Sequence, residues 1–135
     1  MRLVVDTNIL FSFFNCKSTA RELSTRYDLL LYSPTFALTE IEKYKEVIMK
    51  RFSLTHMQYS VIIKLLQTVI NFLGEDEYET FFSKAKKISP DPDNIDFFAL
   101  SFSLNCPLWS NDADLKKQSS LEVWSTKDLV EKLDL

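Results

Sequence analysis

The chain has 135 residues, the size of a single domain, and 46% of them are hydrophobic, which is enough to fill a core. This composition excludes a disordered or collagen-like chain. A single glycine cannot build a Gly-rich phosphate loop, and a formal net charge of -3 excludes a protein that binds nucleic acid by charge alone.

Strands and helices alternate along the sequence. Short apolar runs predict five strands, at residues 3–5, 29–32, 69–73, 107–110 and 122–125. Caps and apolar periodicity predict helices at residues 9–14, 19–27, from 34 onward, 55–67, 78–88, 93–105 and, after a cap at Thr126, up to 133. Pro34 is expected in a first helical turn. The alternation predicts one α/β domain over residues 1–135, a three-layer α/β/α sandwich with a mostly parallel central sheet.

Cysteine usage and the first residues predict a cytoplasmic protein. Cys16 and Cys106 are too few for a disulfide framework and lack zinc-site spacing, so we expect both to be reduced and buried. The opening Met-Arg-Leu-Val-Val-Asp reaches a carboxylate too soon for a signal peptide. No apolar run approaches the ~20 residues of a membrane span, so no membrane association is expected.

Two carboxylates follow predicted strands. Asp6 ends the first strand and Asp112 ends the strand at 107–110. In open α/β sheets, ligands bind in the crevice outside the carboxyl ends of the strands. A structural interpretation stays open for both residues, because an Asp at such a position commonly caps the helix or turn that follows.

Glu40 is a third candidate because of its helical neighbours. Phe36, Tyr44 and Val47 stand four before, four after and seven after it, and these spacings place all of them on one helix face. We expect that apolar face to point inward. A buried carboxylate without a partner is costly, so Glu40 is expected either to serve a site or to form a partly buried ion pair.

The densest acidic cluster lies at residues 91–96. Asp91 before Pro92 predicts a cap with Pro in the first turn, and Asp93 with Asp96 has the spacing of a capping box. These roles leave at least one carboxylate unexplained. An EF-hand loop is excluded, because Ile95 occupies the fifth position and the required Gly is missing.

A parallel sheet would bring these distant acids together, since its strand ends converge at one edge. Each pair of carboxylates at ~4 Å would repel by about 1 to 4 kcal/mol. A hard divalent cation with oxygen ligands, Mg²⁺ or Mn²⁺, removes that repulsion. The sequence therefore predicts a metal site, and the usual use of such a site is phosphoryl chemistry.

The order and spacing of the motifs resemble those of PIN-domain nucleases, including toxins of the VapC type. The resemblance rests on residues 4–8, on Thr39-Glu40-Ile41 after Ser33-Pro34, and on residues 98–101 followed by 105–112. It implies a parallel sheet flanked by helices, and three or four acids that hold Mg²⁺ or Mn²⁺ for hydrolysis of phosphodiester bonds in RNA. Asp6, Glu40 and Asp112 match the family pattern.

The family's remaining acid falls on Asn94, a neutral residue. Either Asn94 coordinates through its oxygen, or Asp93 or Asp96 supplies the charge, and we favour Asp96. The resemblance then implies that Asp6, Asp96 and Asp112 hold the metal, with Glu40 as a ligand or as the base that orients water. The residues expected to support carboxylates or phosphate are Thr7, Asn8, Ser110, Asn111, Asp114 and Lys116.

The resemblance also implies an RNA substrate, a homodimer and, for a toxin, a small antitoxin partner. The neutral Asn94 and the acidic isoelectric point motivate a second hypothesis, a non-catalytic PIN-like module that binds RNA or protein and is indifferent to EDTA. A metal-dependent phosphatase is a third hypothesis. The haloacid-dehalogenase pattern, however, requires a second Asp where this chain has Asn8.

Overall fold

A computed structural model describes all 135 residues, Met1–Leu135. The strands are β1 (Arg2–Val5), β2 (Leu30–Pro34), β3 (Ile70–Leu73), β4 (Leu108–Trp109) and β5 (Val123–Trp124). The helices are α1 (Thr7–Phe11), α2 (Thr19–Ser24), α3 (Thr35–Lys43), α4 (Lys45–Arg51), α5 (His56–Val69), α6 (Phe82–Ile88), α7 (Ile95–Leu104) and α8 (Thr126–Lys132). Short 3₁₀ turns occupy Ser12–Phe14, Glu75–Glu77, Glu79–Phe81, Pro92–Asn94 and Ala113–Lys117.

The five strands form one parallel sheet in the order β3-β2-β1-β4-β5. The predicted α/β/α sandwich is confirmed, and its sheet is parallel throughout. Strand β1 lies at the centre, with Val4 opposite Leu108 and Val5 opposite Trp109 in β4. Strands β2 and β3 lie on one side of β1, and strands β4 and β5 lie on the other side. The carboxyl end of β1 is therefore the switch point where open α/β sheets bind ligands.

The centre of the sheet is also the centre of the core. Leu3, Val4 and Val5 are fully buried, as a strand covered on both faces requires. Trp109 of β4 is buried too, and its indole N–H donates to the Thr126 hydroxyl at 3.1 Å. This bond satisfies the one polar group of the buried ring. The two strands that carry Asp6 and Asp112 at their ends are thus held rigidly side by side.

The helix predicted from Pro34 begins one residue later and is shorter than expected. Ser33 and Pro34 still pair with Phe72 and Leu73 of β3, so α3 starts at Thr35. It ends at Lys43, because Tyr44 leaves the helical region with φ -101 and ψ 17 before α4 begins. The prediction that the apolar face points inward was wrong for the residues after this break. Tyr44 is 44% exposed and Val47 is 62% exposed.

Other differences from the sequence expectations are local. Ser125, not Thr126, caps α8, and Asp128 completes a capping box with it. The predicted capping box of Asp93 and Asp96 is absent: the Asp93 N–H donates to Asp91, and the Asp96 carboxylate accepts the Tyr78 hydroxyl. Cys16 is exposed and only Cys106 is buried, so the expectation of two buried thiols was wrong; both cysteines are unpaired. Every helix falls short of the length and apolarity needed to cross a membrane.

Candidate active site

A cavity of about 230 Å³ opens at the carboxyl edge of the sheet, next to β1 and β4. Its polar walls come from four segments that are far apart in the sequence: Asp6, Thr7 and Asn8 after β1, Glu40 of α3, Asp91, Asp93 and Asn94 before α7, and Asp112 after β4. Three aromatic side chains, Phe11, Tyr44 and Phe97, complete the wall. The lining thus contains five carboxylates and no Lys, Arg or His. We call this cavity the acidic pocket.

Asp6 is the most buried acid of the pocket, with 4% of its surface exposed. Its Oδ1 accepts the backbone N–H of Ile9 at 2.9 Å, so it caps α1 while it lines the pocket. Removal from water raises the pKa of Asp6 to about 6, against hydrogen bonds from Ser110 and Ile9, and the charge of Asp112 raises it further. The cap and the site are therefore compatible roles of one side chain.

Glu40 faces the same pocket from α3. Its Oε1 accepts the Thr7 hydroxyl at 3.1 Å, and it takes part in none of the three ion pairs of the structure. Partial desolvation raises the pKa of Glu40, and the Thr7 hydrogen bond opposes this. The charge of Asp93 raises it, that of Lys43 lowers it and that of Asp96 raises it, and the net shift of the pKa is upward. Glu40 is thus a carboxyl that accepts protons more readily than an exposed glutamate.

Asp112 occupies the position after β4 that corresponds to Asp6 after β1. Its Oδ1 accepts the backbone N–H of Asp114 at 3.0 Å, which caps the turn Ala113–Lys117 as the structural interpretation expected. Its own N–H donates to Ser110 Oγ at 3.1 Å. Ser110 is buried and also bonds to Asp6, so this one hydroxyl connects the two strand ends.

Five predicted site residues lie outside the pocket lining. One is Ser110, which bonds to Asp6 and Asp112 as described above, and the other four have partners elsewhere. Asp96 accepts the Tyr78 hydroxyl at 2.7 Å. Asn111 Oδ1 accepts the backbone N–H of Thr126 at 2.7 Å, at the start of α8. Asp114 pairs with Lys117 at 2.9 Å, and Lys116 pairs with Asp128. That ion pair, with the α8 cap, lowers the pKa of Asp128 to about 2.

The lining also contains residues that sequence reasoning did not assign to a site. Asp91 was interpreted as a cap alone, and it does cap the turn Pro92–Asn94, but its side chain borders the pocket as well. Tyr44 was assigned to the core. The signal that could have found Asp91 is its place in the acidic cluster; no local pattern marks Tyr44, which reaches the pocket through the break between α3 and α4.

The family model of the PIN domain matches residues 4–134 of the chain. The chain belongs to the PIN domain family. PIN domains are generally nucleases, so the expected family and the nuclease class are supported together.

Among solved structures, this PIN domain is similar to one chain in the crystal structure of VapBC2 from Rickettsia felis. In that structure VapBC2 is bound to a DNA fragment from its own promoter. The sequence identity is 12% and the TM-score 0.67, and the match covers 93% of this chain and 98% of that chain. At this identity the likeness concerns the fold alone. No curated protein matches the sequence.

The donor set of this PIN domain suits a hard divalent cation. Five carboxylates and the amide oxygen of Asn94 face one cavity, and no basic side chain of the lining neutralises them. The charge of the neighbouring Asp112 adds to burial in raising the pKa of Asp6 in the absence of a counter-charge. As the side chains stand, however, no three His, Cys, Asp or Glu residues are grouped closely enough to hold an ion.

Proposed function

We propose that the chain is a metal-dependent endoribonuclease that hydrolyses phosphodiester bonds of RNA. The observation that carries the proposal is the acidic pocket at the switch point of the sheet, whose lining contains five carboxylates, none of them in an ion pair. Membership of a family of nucleases supports the reaction class. The RNA substrate and the metal requirement are part of the proposal.

The proposed metal is Mg²⁺ or Mn²⁺, held by Asp6 and Asp112 with a third oxygen from the segment before α7. Asp93 and Asn94 line the pocket, whereas Asp96 accepts the Tyr78 hydroxyl outside it. We therefore prefer Asp93, with Asn94 as a neutral ligand, to Asp96. When bound, such an ion lowers the pKa of a water molecule and neutralises charge on the phosphate. The acidic side chains would have to draw together around it.

The remaining residues have proposed roles in orientation and proton transfer. Glu40 lies at the pocket wall with one carboxylate oxygen held by Thr7, so the other oxygen is free to accept a proton from the attacking water. Burial raises the pKa of Glu40, so this carboxylate is a stronger base than an exposed glutamate. Ser110 holds Asp6 and the backbone of Asp112 in place.

The first test is cleavage of a fluorescein-labelled single-stranded RNA with Mn²⁺, with Mg²⁺ and with EDTA. We expect cleavage with metal only, and a loss on the order of 100-fold or more in Asp6→Asn and in Asp112→Asn. Asp128→Asn is the matched control, because Asp128 is an acid at the same sheet edge that already has a lysine partner. Cleavage that survives in purified Asp6→Asn would contradict the proposal.

Metal binding itself is testable by thermal melting without any substrate. Mn²⁺ at ~100 times its dissociation constant adds about 2.7 kcal/mol to the free energy of unfolding. We expect this gain in the wild-type chain and in Asp128→Asn, and none in Asp6→Asn. An equal response of all three chains would mean that the ion binds elsewhere.

A non-catalytic binding module is the second candidate function. Two observations favour it: the neutral Asn94, and the absence of three grouped ligands in the pocket. A chain of this kind binds RNA or protein equally well with EDTA and with Mn²⁺, and shows no melting shift with metal.

The partners and the location are further proposals. The likeness to VapBC2 supports a toxin that is held by a small antitoxin protein. The unpaired cysteines are compatible with the reducing cytoplasm. We also propose a homodimer, which light scattering of the purified chain would measure.

A further inference from the structure

An apolar recess of about 190 Å³ adjoins the acidic pocket. Its walls are formed by Phe11, Tyr44, Val47, Ile48, Arg51 and Phe52. Two of these residues, Phe11 and Tyr44, line both cavities, so the recess begins where the acidic pocket ends. We call it the aromatic recess. Five of its six lining residues are hydrophobic, whereas the acidic pocket is mostly polar.

Two basic side chains, Lys43 and Arg51, lie beside rings of the aromatic recess in a chain whose net charge is -3. Residues 43–51 contain four basic residues and one acidic residue. The Lys43 amine lies 5.6 Å from the centre of the Tyr44 ring, and the Arg51 guanidinium lies 5.5 Å from that of Phe52. None of these basic residues forms an ion pair. The segment is therefore a local positive surface beside a negative pocket.

We propose that the aromatic recess binds a base of single-stranded RNA next to the phosphodiester that enters the acidic pocket. The proposal rests on the nuclease function proposed above. Exposed aromatic rings that stack on bases, flanked by cations that follow the phosphates, are the two features of single-strand binding sites. Tyr44 provides the ring, since it is 44% exposed. Lys43, beside the Tyr44 ring, and Arg51, beside the Phe52 ring, provide the cations.

The chemistry of the walls defines the selectivity. Only two side chains of the recess can form hydrogen bonds with a base, Arg51 and Tyr44 through its hydroxyl. Stacking on such walls accepts any base, because every base has an aromatic face. The recess thus recognises single-stranded nucleic acid as a class and positions it, while duplex RNA keeps its bases stacked and unavailable.

The charges favour RNA over the other occupants of an apolar surface. In a two-fold contact between copies of this chain, the same patch meets itself, which would bring the cations of residues 43–51 face to face. An apolar peptide would cover Val47, which is 62% exposed, but would leave the basic residues unused. A polyanion uses both the rings and the charges.

Substitutions at Val47 separate these occupants. Because its side chain is mostly exposed, neither Val47→Asp nor Val47→Lys is expected to disturb folding. RNA binding should fall in Val47→Asp and be kept or strengthened in Val47→Lys. Binding of an apolar peptide or of a second copy should fall in both. Val61→Asp is the matched control, since Val61 is 59% exposed on α5 and does not line either cavity.

The probe is a fluorescein-labelled 12-nucleotide single-stranded RNA, and the readout is its anisotropy with the full chain. The Asp6→Asn background prevents cleavage and removes one pocket charge. We expect Tyr44→Ala to weaken binding about 5- to 150-fold, the range found for a lost base–aromatic stack. Lys43→Ala should lower the slope of log affinity against log salt by about 1, and the exposed Lys64→Ala on α5 should not.

The outcomes also separate this proposal from the nuclease proposal. Unchanged RNA affinity in Tyr44→Ala, together with Mn²⁺-dependent cleavage that requires Asp6, rejects the recess and leaves the nuclease standing. Loss of RNA binding in both Val47→Asp and Val47→Lys also rejects it, and a dimer that both variants dissociate identifies a second copy as the occupant. A wild-type chain that neither binds nor cleaves RNA rejects both proposals.

Discussion

Two groups of acidic side chains lie at the carboxyl edge of the sheet, and they differ in what surrounds them. In the acidic pocket, Asp6 has no cationic partner, and burial raises its pKa to about 6. Beside the pocket, Asp128 pairs with Lys116, and its pKa falls to about 2. The pKa of an aspartate is thus above its usual value in the first group and below it in the second. A count of carboxylates does not locate a site; the absence of a neutralising charge does.

The largest expected effect is on the free energy of unfolding of the metal-free chain. Asp6→Asn keeps the cap on α1 but removes the buried charge, so it should stabilise the chain at pH 7 by about 3 kcal/mol, the equivalent of a two-unit pKa shift. Urea unfolding without metal measures this difference. Saturating Mn²⁺ should reduce or reverse it, because only the wild-type chain gains from the ion.

The same comparison has a defined pH dependence. Since the pKa of Asp6 is raised on folding, the folded chain binds the proton more tightly than the unfolded chain. Protonation of Asp6 therefore stabilises the fold, and this contribution is complete below the unfolded pKa of about 4. It is lost as the pH rises from about 4 to about 6. Wild type and Asp6→Asn should therefore converge at pH 4. A difference that stays constant from pH 4 to pH 7 would show that the charge of Asp6 is not its cause.

The paired acid should behave in the opposite way and more weakly. Asp128→Ala removes the second half of the capping box with Ser125 and the ion pair with Lys116, so it should destabilise the chain by about 1 kcal/mol. Urea unfolding at pH 7 measures the loss, and the Mn²⁺-induced shift of the melting temperature should be unchanged. Stabilisation by this substitution would remove the contrast between the two groups.

The smallest effect is expected at the exposed pair of Asp114 and Lys117. Both side chains are largely in water, where an ion pair contributes little. Asp114→Asn should leave both the melting temperature and its response to Mn²⁺ unchanged. A lost metal response would instead place Asp114, one of the residues first assigned to site support, among the metal ligands.

Features fixed by local sequence were predictable. The run Leu3-Val4-Val5 predicts a strand buried on both faces, and Asp6 at its end follows from that assignment. Asp112 follows from β4 in the same way. The parallel order of the strands then brings both acids into one cavity. The site roles of these residues stay predictions until the cleavage and binding experiments are done.

Features that depend on distant contacts were not predictable. Glu40 does reach the pocket, but the expected reason was wrong, because the helix breaks at Tyr44 and exposes two of the apolar neighbours. The partner of Asp96 is Tyr78, on the segment before α6, and no spacing rule connects them. Lys116 looked available for phosphate, whereas α8 places Asp128 against it. In each case, a neighbour from another element decided the outcome.

The central position of β1 also has a consequence during synthesis. The strand that is made first finds its second neighbour, β4, only after residues 108–109 have left the ribosome. At about 5–20 residues per second, several seconds separate the emergence of Asp6 from that of Asp112. A nascent chain that stops before β4 has only one of the two strand ends that line the acidic pocket, the end of β1. The acidic pocket is therefore complete only once β4 has docked against β1.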